Sequence, residues 1–437
     1  MDLKKLMKES GIVGAGGAGF PSYAKLADGA DTLVVNGAEC EPLLYTDYIL
    51  MGREMPLILA GIREVMAYCH IPRALLCVKG HTAERLSFEE GQTLDTGIFV
   101  KVLPDVYPIG DEISLIYQAT GRIVKPGNLP ITSRVIVDNV ETMYNLGRAV
   151  KYGERVWEKW LTVGGDVERH AVIRVPVGTR VGDILSALGI VVPPTHSVLD
   201  GGPSMGRLIN PGTATVTKTT KAINILPTET RAVETKRLNP RLAITRAETA
   251  CCQCTRCTDM CPRNLLGYPL EPHKMVRTAM GVVKVEPNLV ISATLCCGCG
   301  ICESLACSQG ISPKAVISEY KALLAKNKMK YITTEDVEAK EEREYRMIPS
   351  EKWASMLGVR KYDKVPEYLG GMEFDRVEIP LGRIIGAPAV PVVSDGQTVA
   401  RGDIIAKYGE GLSVSIAASI DGVVSVERDF IRIDKKR

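Results

Sequence analysis

Histidine is scarce in this sequence, with only five among 437 residues, so heme ligation and mixed Cys/His zinc sites have little material. The sequence also lacks a large excess of charge of either sign. The 54 basic and 51 acidic residues nearly balance, which gives no electrostatic argument for binding nucleic acid or an anionic membrane surface. No apolar run approaches the roughly 20 residues of a membrane helix, and the first residues lack a signal-peptide core. We expect a soluble, cytoplasmic protein without membrane insertion.

The chain is too long for one ordinary domain and predicts several modules. Residues 1–150 alternate short β-like runs with helical stretches such as 51–69, which indicates an α/β layer fold. Residues 160–225 predict a small α+β module, and residues 240–325 predict a helical region around the cysteines. The charged segment 326–377 is predicted to be an exposed helical linker. Residues 378–437 return to short strands and glycine turns, typical of a small β-sandwich or barrel.

Cysteine is abundant and concentrated. Ten of the thirteen cysteines lie between residues 251 and 307, and in a long chain without a signal peptide this density indicates metal. Two runs have the spacing C-x2-C-x2-C followed by a fourth cysteine: Cys251, Cys254, Cys257 and Cys261, then Cys296, Cys299, Cys302 and Cys307. This spacing is typical of [4Fe–4S] clusters, because a loop can offer thiolates to three iron corners while the fourth ligand comes from elsewhere.

In two-cluster ferredoxins the fourth cysteine of each run binds the other cluster. Crossed ligation therefore predicts that Cys307 joins the first three cysteines of the first run, and that Cys261 joins those of the second. A pair of zinc ribbons also fits repeated C-x2-C spacing, but triple runs favour iron and sulfide. Cys252 and Cys297 remain either alternative ligands or packing residues, with packing favoured. His273 is expected to be structural.

A glycine-rich segment, Gly14–Phe20, satisfies the pattern G-x-G-x-x-G. A dinucleotide-binding fingerprint needs a strand before it, whereas the preceding residues predict a helix. Backbone without side chains still lets N–H groups approach a phosphate or a flat ring, and Lys25 follows as a phosphate partner. A glycine turn that binds no ligand is the alternative. Three other polar segments, around Asn36, Asp111 and Asn139, follow or end apolar runs, where α/β sheets bind ligands.

Together these segments resemble the FMN pocket of the flavoprotein subunit of respiratory NADH dehydrogenase. By that resemblance, the residues at the FMN phosphate and ring are Gly14, Gly16, Gly17, Gly19 and Lys25. Those at the ribityl and phosphate end are Asn36, Asn139 and Thr142. Those lining the isoalloxazine and nicotinamide site, with catalytic roles, are Glu39, Tyr107, Asp111 and Glu112. Phe20 is implied to stack on NADH.

Over more than two-thirds of its length the chain is similar to the RnfC-related family that includes the PduS-type cobalamin reductases. The strings that carry this resemblance include VNGAECEPLL, LPDVYPIGDE, GGPSMG and MCPRNLLGYPLEPHK. The resemblance implies an SLBB-type β-grasp domain at 160–225, a two-cluster ferredoxin-like domain at 240–325 and a barrel-sandwich hybrid at 378–437.

The implied activity is electron transfer from NADH through FMN and two [4Fe–4S] clusters to cobalamin, in support of re-adenosylation. An adenosyltransferase and the shell proteins of a bacterial microcompartment are the implied partners, and that compartment is an implied location. One alternative is an RnfC-like electron-wiring subunit that reduces a protein partner. Another is a cluster scaffold without flavin.

Overall fold

The first module is an α/β layer built on a five-stranded sheet. The computed structural model describes residues 2–282 and 284–436. The strands of this part are β1 (Thr32–Asn36), β2 (Arg73–Lys79), β3 (Thr93–Asp95), β4 (Ile98–Leu103), β5 (Val106–Tyr107) and β6 (Val135–Asn139). The helices are α1 (Leu3–Glu9), α2 (Thr46–Tyr68), α3 (Gly80–Leu86), α4 (Glu112–Thr120) and α5 (Val140–Tyr152). The sheet order is β3-β4-β2-β1-β6, with β1 parallel to both neighbours.

The sheet changes its direction of winding beside β1. The chain adds β2 and then β4 on one side of β1, and places β6 on the other side. Asn36 at the end of β1 lies in register with Asn139 at the end of β6. Open α/β sheets bind ligands at such a topological switch point, outside the carboxyl ends of the strands. The strand order therefore places these two asparagines where a ligand is expected.

The second module is a mixed sheet with one short helix. Its elements are β7 (Glu158–Gly165), β8 (Ala171–Pro176), α6 (Val181–Ala187), β9 (His196–Asp200), β10 (Arg207–Ile209) and β11 (Ala222–Pro227). The strand order is β10-β9-β11-β7-β8. Alternating apolar residues such as Leu161, Ile173 and Ile223 build its core.

The third module is helical between and around the cysteine runs, as the sequence predicts. Its helices are α7 (Arg231–Arg237), α8 (Pro240–Ala250), α9 (Arg256–Asp259), α10 (Pro262–Leu265), α11 (Pro272–Ala279), α12 (Pro287–Ile291) and α13 (Pro313–Lys326). Proline occupies an N-terminal position of α8 and of α10 to α13, where its missing N–H costs no hydrogen bond. Cys302–Ala306 forms a π-helical turn.

The predicted helical linker at 326–377 is wrong. Between α13 and residue 348 the chain forms no helix or strand, apart from a short 3-10 turn at Glu341–Arg343. Tyr331, Val337 and Ala339 are partly buried against the first module, and the Thr333 N–H donates to the Pro126 carbonyl at 3.3 Å. The charged composition correctly indicates that most of this segment is exposed. Its spaced apolar residues hold it against the first module as an irregular segment, and it does not form a solvated helix.

The rest of that segment completes other modules. Its elements are β12 (Ile348–Pro349), α14 (Ser350–Met356) and β13 (Glu367–Gly371). β12 pairs with β5 of the first module, and β13 adds to the second module's sheet beside β8. Residues 348–371 are therefore part of the packed structure.

The C-terminal module is all-β. Its strands are β14 (Arg376–Pro380), β15 (Val390–Pro391), β16 (Thr398–Val399), β17 (Ile404–Lys407), β18 (Ile416–Ala417), β19 (Gly422–Val426) and β20 (Phe430–Asp434). They form two sheets, in the orders β14-β20-β19-β16 and β15-β17-β18, around one apolar core. Among the described residues, no helix has the length and apolarity to cross a membrane.

Candidate functional site

A cavity of about 570 Å³ opens at the switch point of the first sheet. The first module contributes Gly16, Gly17, Ala18, Asn36, Ala38, Glu39, Cys40, Glu41, Leu44, Asp47, Pro108, Gly110, Asp111 and Asn139. The second contributes Asp200, Gly201, Gly202, Met205, Gly206, Arg207, Thr217, Thr219 and Lys221. The third and fourth contribute Cys297, Cys299 and Arg383. Its volume suits a cofactor-sized ligand, and every module contributes to its wall.

The glycine segment forms a tight loop whose bare backbone faces this cavity. The loop is closed by the Gly14 N–H, which donates to the Phe20 carbonyl at 2.8 Å. Gly17 has φ of +114°, which favours glycine, and a Cβ on Gly16 would come within 3.4 Å of the Asn139 side chain. Gly16, Gly17 and Ala18 are exposed. The loop therefore offers main-chain groups to a ligand without side chains in the way.

The two asparagines at the strand ends are held by hydrogen bonds. Asn36 Nδ2 donates to the Gly110 carbonyl at 3.0 Å. Asn139 Nδ2 donates to Asp47 at 2.7 Å, while Asn139 Oδ1 accepts from the Glu141 N–H and so caps α5. Both side chains are thus fixed in orientation at the inner end of the cavity.

A buried charge network lies behind them. Lys221 pairs with Asp47 and with Glu141, the latter at 2.9 Å, and Lys159 pairs with Glu141 and donates to the Ala15 carbonyl at 3.2 Å. Burial alone lowers the pKa of Lys221, but the two carboxylates raise it above its usual value. The network joins the glycine loop to β7, which carries Lys159, and to Lys221, the residue before β11 of the second module. Lys221 and Asp47 were not predicted from the sequence. The signal that could have identified them is a charged residue in apolar surroundings.

Glu39 has an unsatisfied atom in the wall of the cavity. Its Oε2 accepts from the Tyr48 N–H at 3.1 Å, whereas its buried Oε1 has no partner among the described residues. Burial, and secondarily the charge of Asp47, raises the pKa of Glu39 to about 8. This shift favours the protonated carboxyl at neutral pH, and a protonated carboxyl can donate a hydrogen bond to a ligand.

Several residues that the resemblance assigned to the site do not line the cavity: Gly14, Gly19, Phe20, Lys25, Tyr107, Glu112 and Thr142. Lys25 instead pairs with Glu112 at 3.2 Å and donates to the Val137 carbonyl at 2.8 Å. Thr142 supports the glycine loop from behind, because its Oγ1 accepts from the Ala15 N–H at 3.1 Å.

Tyr107 supports the second cysteine run instead of lining the cavity. Its hydroxyl donates to the Cys299 carbonyl at 2.7 Å, and its ring stacks on Trp353 with 4.6 Å between ring centroids. Trp353 Nε1 in turn donates to Ser204 Oγ at 2.8 Å, and the Ser204 N–H donates to Glu41 at 2.9 Å. A packed column therefore connects the GGPSMG segment with the cysteine loop.

The cysteines gather in two groups that mix the runs. The outer group, which includes the exposed Cys254, lines one small cavity together with Cys252: Cys251, Cys254, Cys257 and Cys307. The inner group lines another together with Cys297: Cys261, Cys296, Cys299 and Cys302. Among residues 2–282 and 284–436, no three Cys, His, Asp or Glu side chains lie close enough to hold a single metal ion.

Burial raises the pKa of Cys257 and of Cys261 to about 12. These thiols are protonated at neutral pH without metal, so iron binding must displace their protons. His273 lies beside the outer group, with Nδ1 within 2.7 Å of Thr258 Oγ1. The donor set of each group, four thiols from two chain segments, fits an iron–sulfur cluster.

The inner group and the large cavity share a wall, since Cys297 and Cys299 line both. Arg263, two residues after Cys261, donates to Asp111 of the cavity at 2.8 Å. The cavity therefore adjoins one cysteine group directly, and the other lies nearer the surface.

Comparison with known proteins identifies the family. The chain is 36% identical over 428 residues to the cobalamin reductase PduS of Citrobacter freundii, covering 97% of this chain and 94% of the relative. The chain belongs to the PduS family. The cobalamin reductase PduS of Salmonella typhimurium is also 36% identical, over 429 residues. The similar coverage of both sequences means that all four modules are shared with these oxidoreductases.

Three family models match separate parts of the chain. Residues 7–148 match the Nuo51 FMN-binding domain, residues 250–312 a 4Fe-4S dicluster domain and residues 372–433 the RnfC barrel sandwich hybrid domain. An RnfC-type protein of the ion-translocating oxidoreductase complex of Salmonella arizonae is 33% identical over 266 residues, which are 60% of this chain and 38% of that protein. The first two matches assign an FMN-binding domain and an iron–sulfur domain to this chain.

Proposed function

We propose that the protein transfers electrons from NADH, through FMN and two [4Fe–4S] clusters, to cobalamin. The observation that carries this proposal is the shared wall. The cavity of the FMN-binding module is lined by Cys297 and Cys299, which also line the inner cysteine group. Flavin accepts two electrons as hydride and releases them singly, whereas each cluster carries one electron at a time. A flavin site adjoining a cluster site supports this conversion.

The chain's own residues would hold the flavin at the switch point. Gly16 and Gly17 offer bare backbone, and Asn36 and Asn139 offer oriented amides. Protonated Glu39 would donate a hydrogen bond, and Asp111, fixed by Arg263, would accept one. The second module, which we assign to the SLBB-type β-grasp fold, closes the cavity with Thr217, Thr219 and Lys221.

The crossed cysteine groups support one cluster on each. Cys307 lies with Cys251, Cys254 and Cys257, whereas Cys261 lies with Cys296, Cys299 and Cys302. Because the inner group adjoins the cavity and the outer group is more exposed, electrons would leave the protein from the outer group. Cys252 and Cys297 line the same two small cavities, and we propose that they are not cluster ligands.

The acceptor follows from the family. Its members named above are cobalamin reductases, and we propose the same substrate here, with the product used for re-adenosylation. An adenosyltransferase and microcompartment shell proteins are the partners we propose, with the microcompartment as the location. The chain's similarity to the RnfC-type protein of the ion-translocating complex makes a protein acceptor the competing outcome.

Anaerobic purification tests the proposal. We expect about eight irons, eight sulfides and one FMN per chain, and NADH should bleach both chromophores. Added cob(III)alamin should be reduced in step with NADH oxidation. Zinc in place of iron, or flavin absent from a folded preparation, would contradict the cofactor assignment. Full cofactor content without cobalamin reduction would favour a protein acceptor.

Cysteine variants test the crossed wiring. Cys254→Ala and Cys307→Ala should each remove the same electron paramagnetic resonance signal, and NADH should still bleach the flavin. Cys299→Ala should remove the other signal. Cys69→Ala, a change at a buried cysteine distant in sequence, serves as the control. If Cys307→Ala removes the signal that depends on Cys299, the ligands are not crossed.

A further inference from the structure

The carboxylates that line the cavity have their charges compensated internally. Asp47 pairs with Lys221, and Asp111 with Arg263 at 2.8 Å. Asp200 pairs with Arg207 at 2.7 Å. Glu41 accepts from the main-chain N–H groups of residues 204 and 205, at 2.9 and 2.7 Å. Burial raises the pKa of Glu39 to about 8, which favours its neutral form.

Arg383 is different. Within residues 2–282 and 284–436 it has no ion-pair or hydrogen-bond partner, and it is exposed at the cavity. Among the described residues, the cavity thus presents one free cation, contributed by the C-terminal module, alongside Arg207, whose charge is partly engaged by Asp200. An unpaired guanidinium with five donors in a planar fork is suited to a phosphate.

The glycine loop lies beside this arginine. The Ile385 N–H donates to the Gly19 carbonyl at 3.1 Å, and a Cβ on Gly19 would lie 3.8 Å from the Ile384 Cα. The turn that carries Arg383 is therefore packed against the loop whose exposed backbone faces the cavity. Bare main-chain N–H groups and an arginine side chain together form a recurrent anion-binding arrangement.

Lys25, the phosphate partner that the sequence indicated, is engaged elsewhere. It pairs with Glu112 and donates to the Val137 carbonyl, and it does not line the cavity. Since its charge is already compensated, a phosphate in the cavity needs another cation.

We propose that Arg383, with Arg207 and the backbone of Gly16–Ala18, forms a phosphate-ester subsite at the exposed end of the cavity. This inference rests on the proposed function and adds a recognition element from the C-terminal module. The shared ligand chemistry is a phosphate ester or diester, and it has three sources: FMN, the pyridine dinucleotide and the nucleotide loop of cobalamin. Arg383 acts in binding and takes no part in electron transfer.

The test uses ligand pairs that differ in phosphate. Dissociation constants are measured on the full-length chain by equilibrium dialysis or calorimetry for FMN and riboflavin, NAD⁺ and nicotinamide riboside, and cobalamin and cobinamide. Arg383→Gln should weaken binding of the phosphate-bearing member of one pair by about tenfold, and leave its phosphate-free partner unchanged. Arg383→Lys should restore part of the loss. The affected pair identifies the source of the phosphate.

Arg428→Gln is the matched control, because Arg428 is an exposed arginine of the same module that does not line the cavity. Three results would each overturn the subsite: equal weakening of both members of every pair, no change in any pair, or no binding of any phosphate-bearing ligand to the wild-type chain. The proposed function fails separately. A preparation without flavin or iron disproves it, while the NAD⁺ and cobalamin pairs still report on Arg383.

Discussion

At the scale of single residues, protonation of Glu39 is a central feature of the cavity. A carboxylate there would add negative charge beside Asp47 without a hydrogen-bond partner for Oε1 among the described residues. The neutral acid avoids that charge and still offers a donor. The chain therefore holds a titratable group whose charge changes slightly above physiological pH.

Glu39→Gln is expected to remove a pH dependence of flavin affinity. In the wild-type chain, raising the pH through about 8 ionises Glu39, so the affinity for riboflavin, which has no titrating phosphate, should fall. Glutamine keeps a donor and cannot ionise, so the fall in riboflavin affinity between about pH 7 and about pH 9 should be smaller in the variant than in the wild-type chain. Equilibrium dialysis measures this. Parallel pH profiles in both proteins would show that Glu39 does not contact the ligand.

Sequence patterns located some residues of the cavity and could not locate others. Asn36 and Asn139 end apolar runs, and because strand ends meet at one edge of a sheet their position follows from local pattern. Lys221 and Arg383 reach the same cavity from modules far along the chain, so only tertiary packing reveals them. Lys25 follows the family motif, but its neighbours Glu112 and Asp138 engage it.

At the scale of elements, the close packing of α2 against α5 positions the inner end of the cavity. Added Cβ atoms on Gly61 of α2 or on Gly147 of α5 would overlap the main-chain carbonyls of Met143 and Leu57. Since Asn139 caps α5, any separation of these helices shifts a cavity residue.

Gly61→Ala should therefore destabilise the first module by about 1–3 kcal/mol, because backbone must move to accept the methyl group. Flavin retention should fall as well. Gly52→Ala in the same helix is the control, since its Cβ would meet only the flexible end of Leu86 at 3.2 Å. Urea denaturation followed by circular dichroism measures the first effect. Equal midpoints for the two variants would contradict the close packing.

The helix pattern was predictable over residues 51–69, and the structure extends it to Thr46–Tyr68. The helix that packs against it could not be predicted, because the close contacts at the glycines join residues that are far apart in sequence. The segment after α13 was wrongly predicted for a different reason. Its many charged residues suggested an exposed helix, whereas in the fold its few apolar residues, Tyr331 and Val337 among them, pack against the first module.

At the scale of the whole molecule, Lys218 connects three modules. From the second module its Nζ donates to the Gly11 carbonyl of the first at 2.7 Å and to the Ser415 carbonyl of the last at 3.2 Å. Burial lowers its pKa from 10.5 to about 7. Between these values the unfolded chain binds a proton that the folded chain releases, so this residue makes stability rise with pH.

The Lys218→Met variant should lose this dependence of stability on pH. The urea midpoint of the wild-type chain should increase relative to the variant as the pH rises from about 7 to about 9.5. The measurement is denaturation followed by fluorescence at several pH values. The same pH slope in both proteins would show that the pKa of Lys218 is not lowered in the folded chain.

The contributions of four modules to one cavity also bear on the order of maturation in the cell. Modules fold largely as units, the earlier ones first during synthesis. The glycine loop and asparagines can form early, but the turn carrying Arg383 and Ile385 is made only after the cysteine segments. Stable flavin capture is therefore expected to be a late event, after the thiols of both cysteine groups are available to iron. Flavin content then reports on assembly of the entire chain.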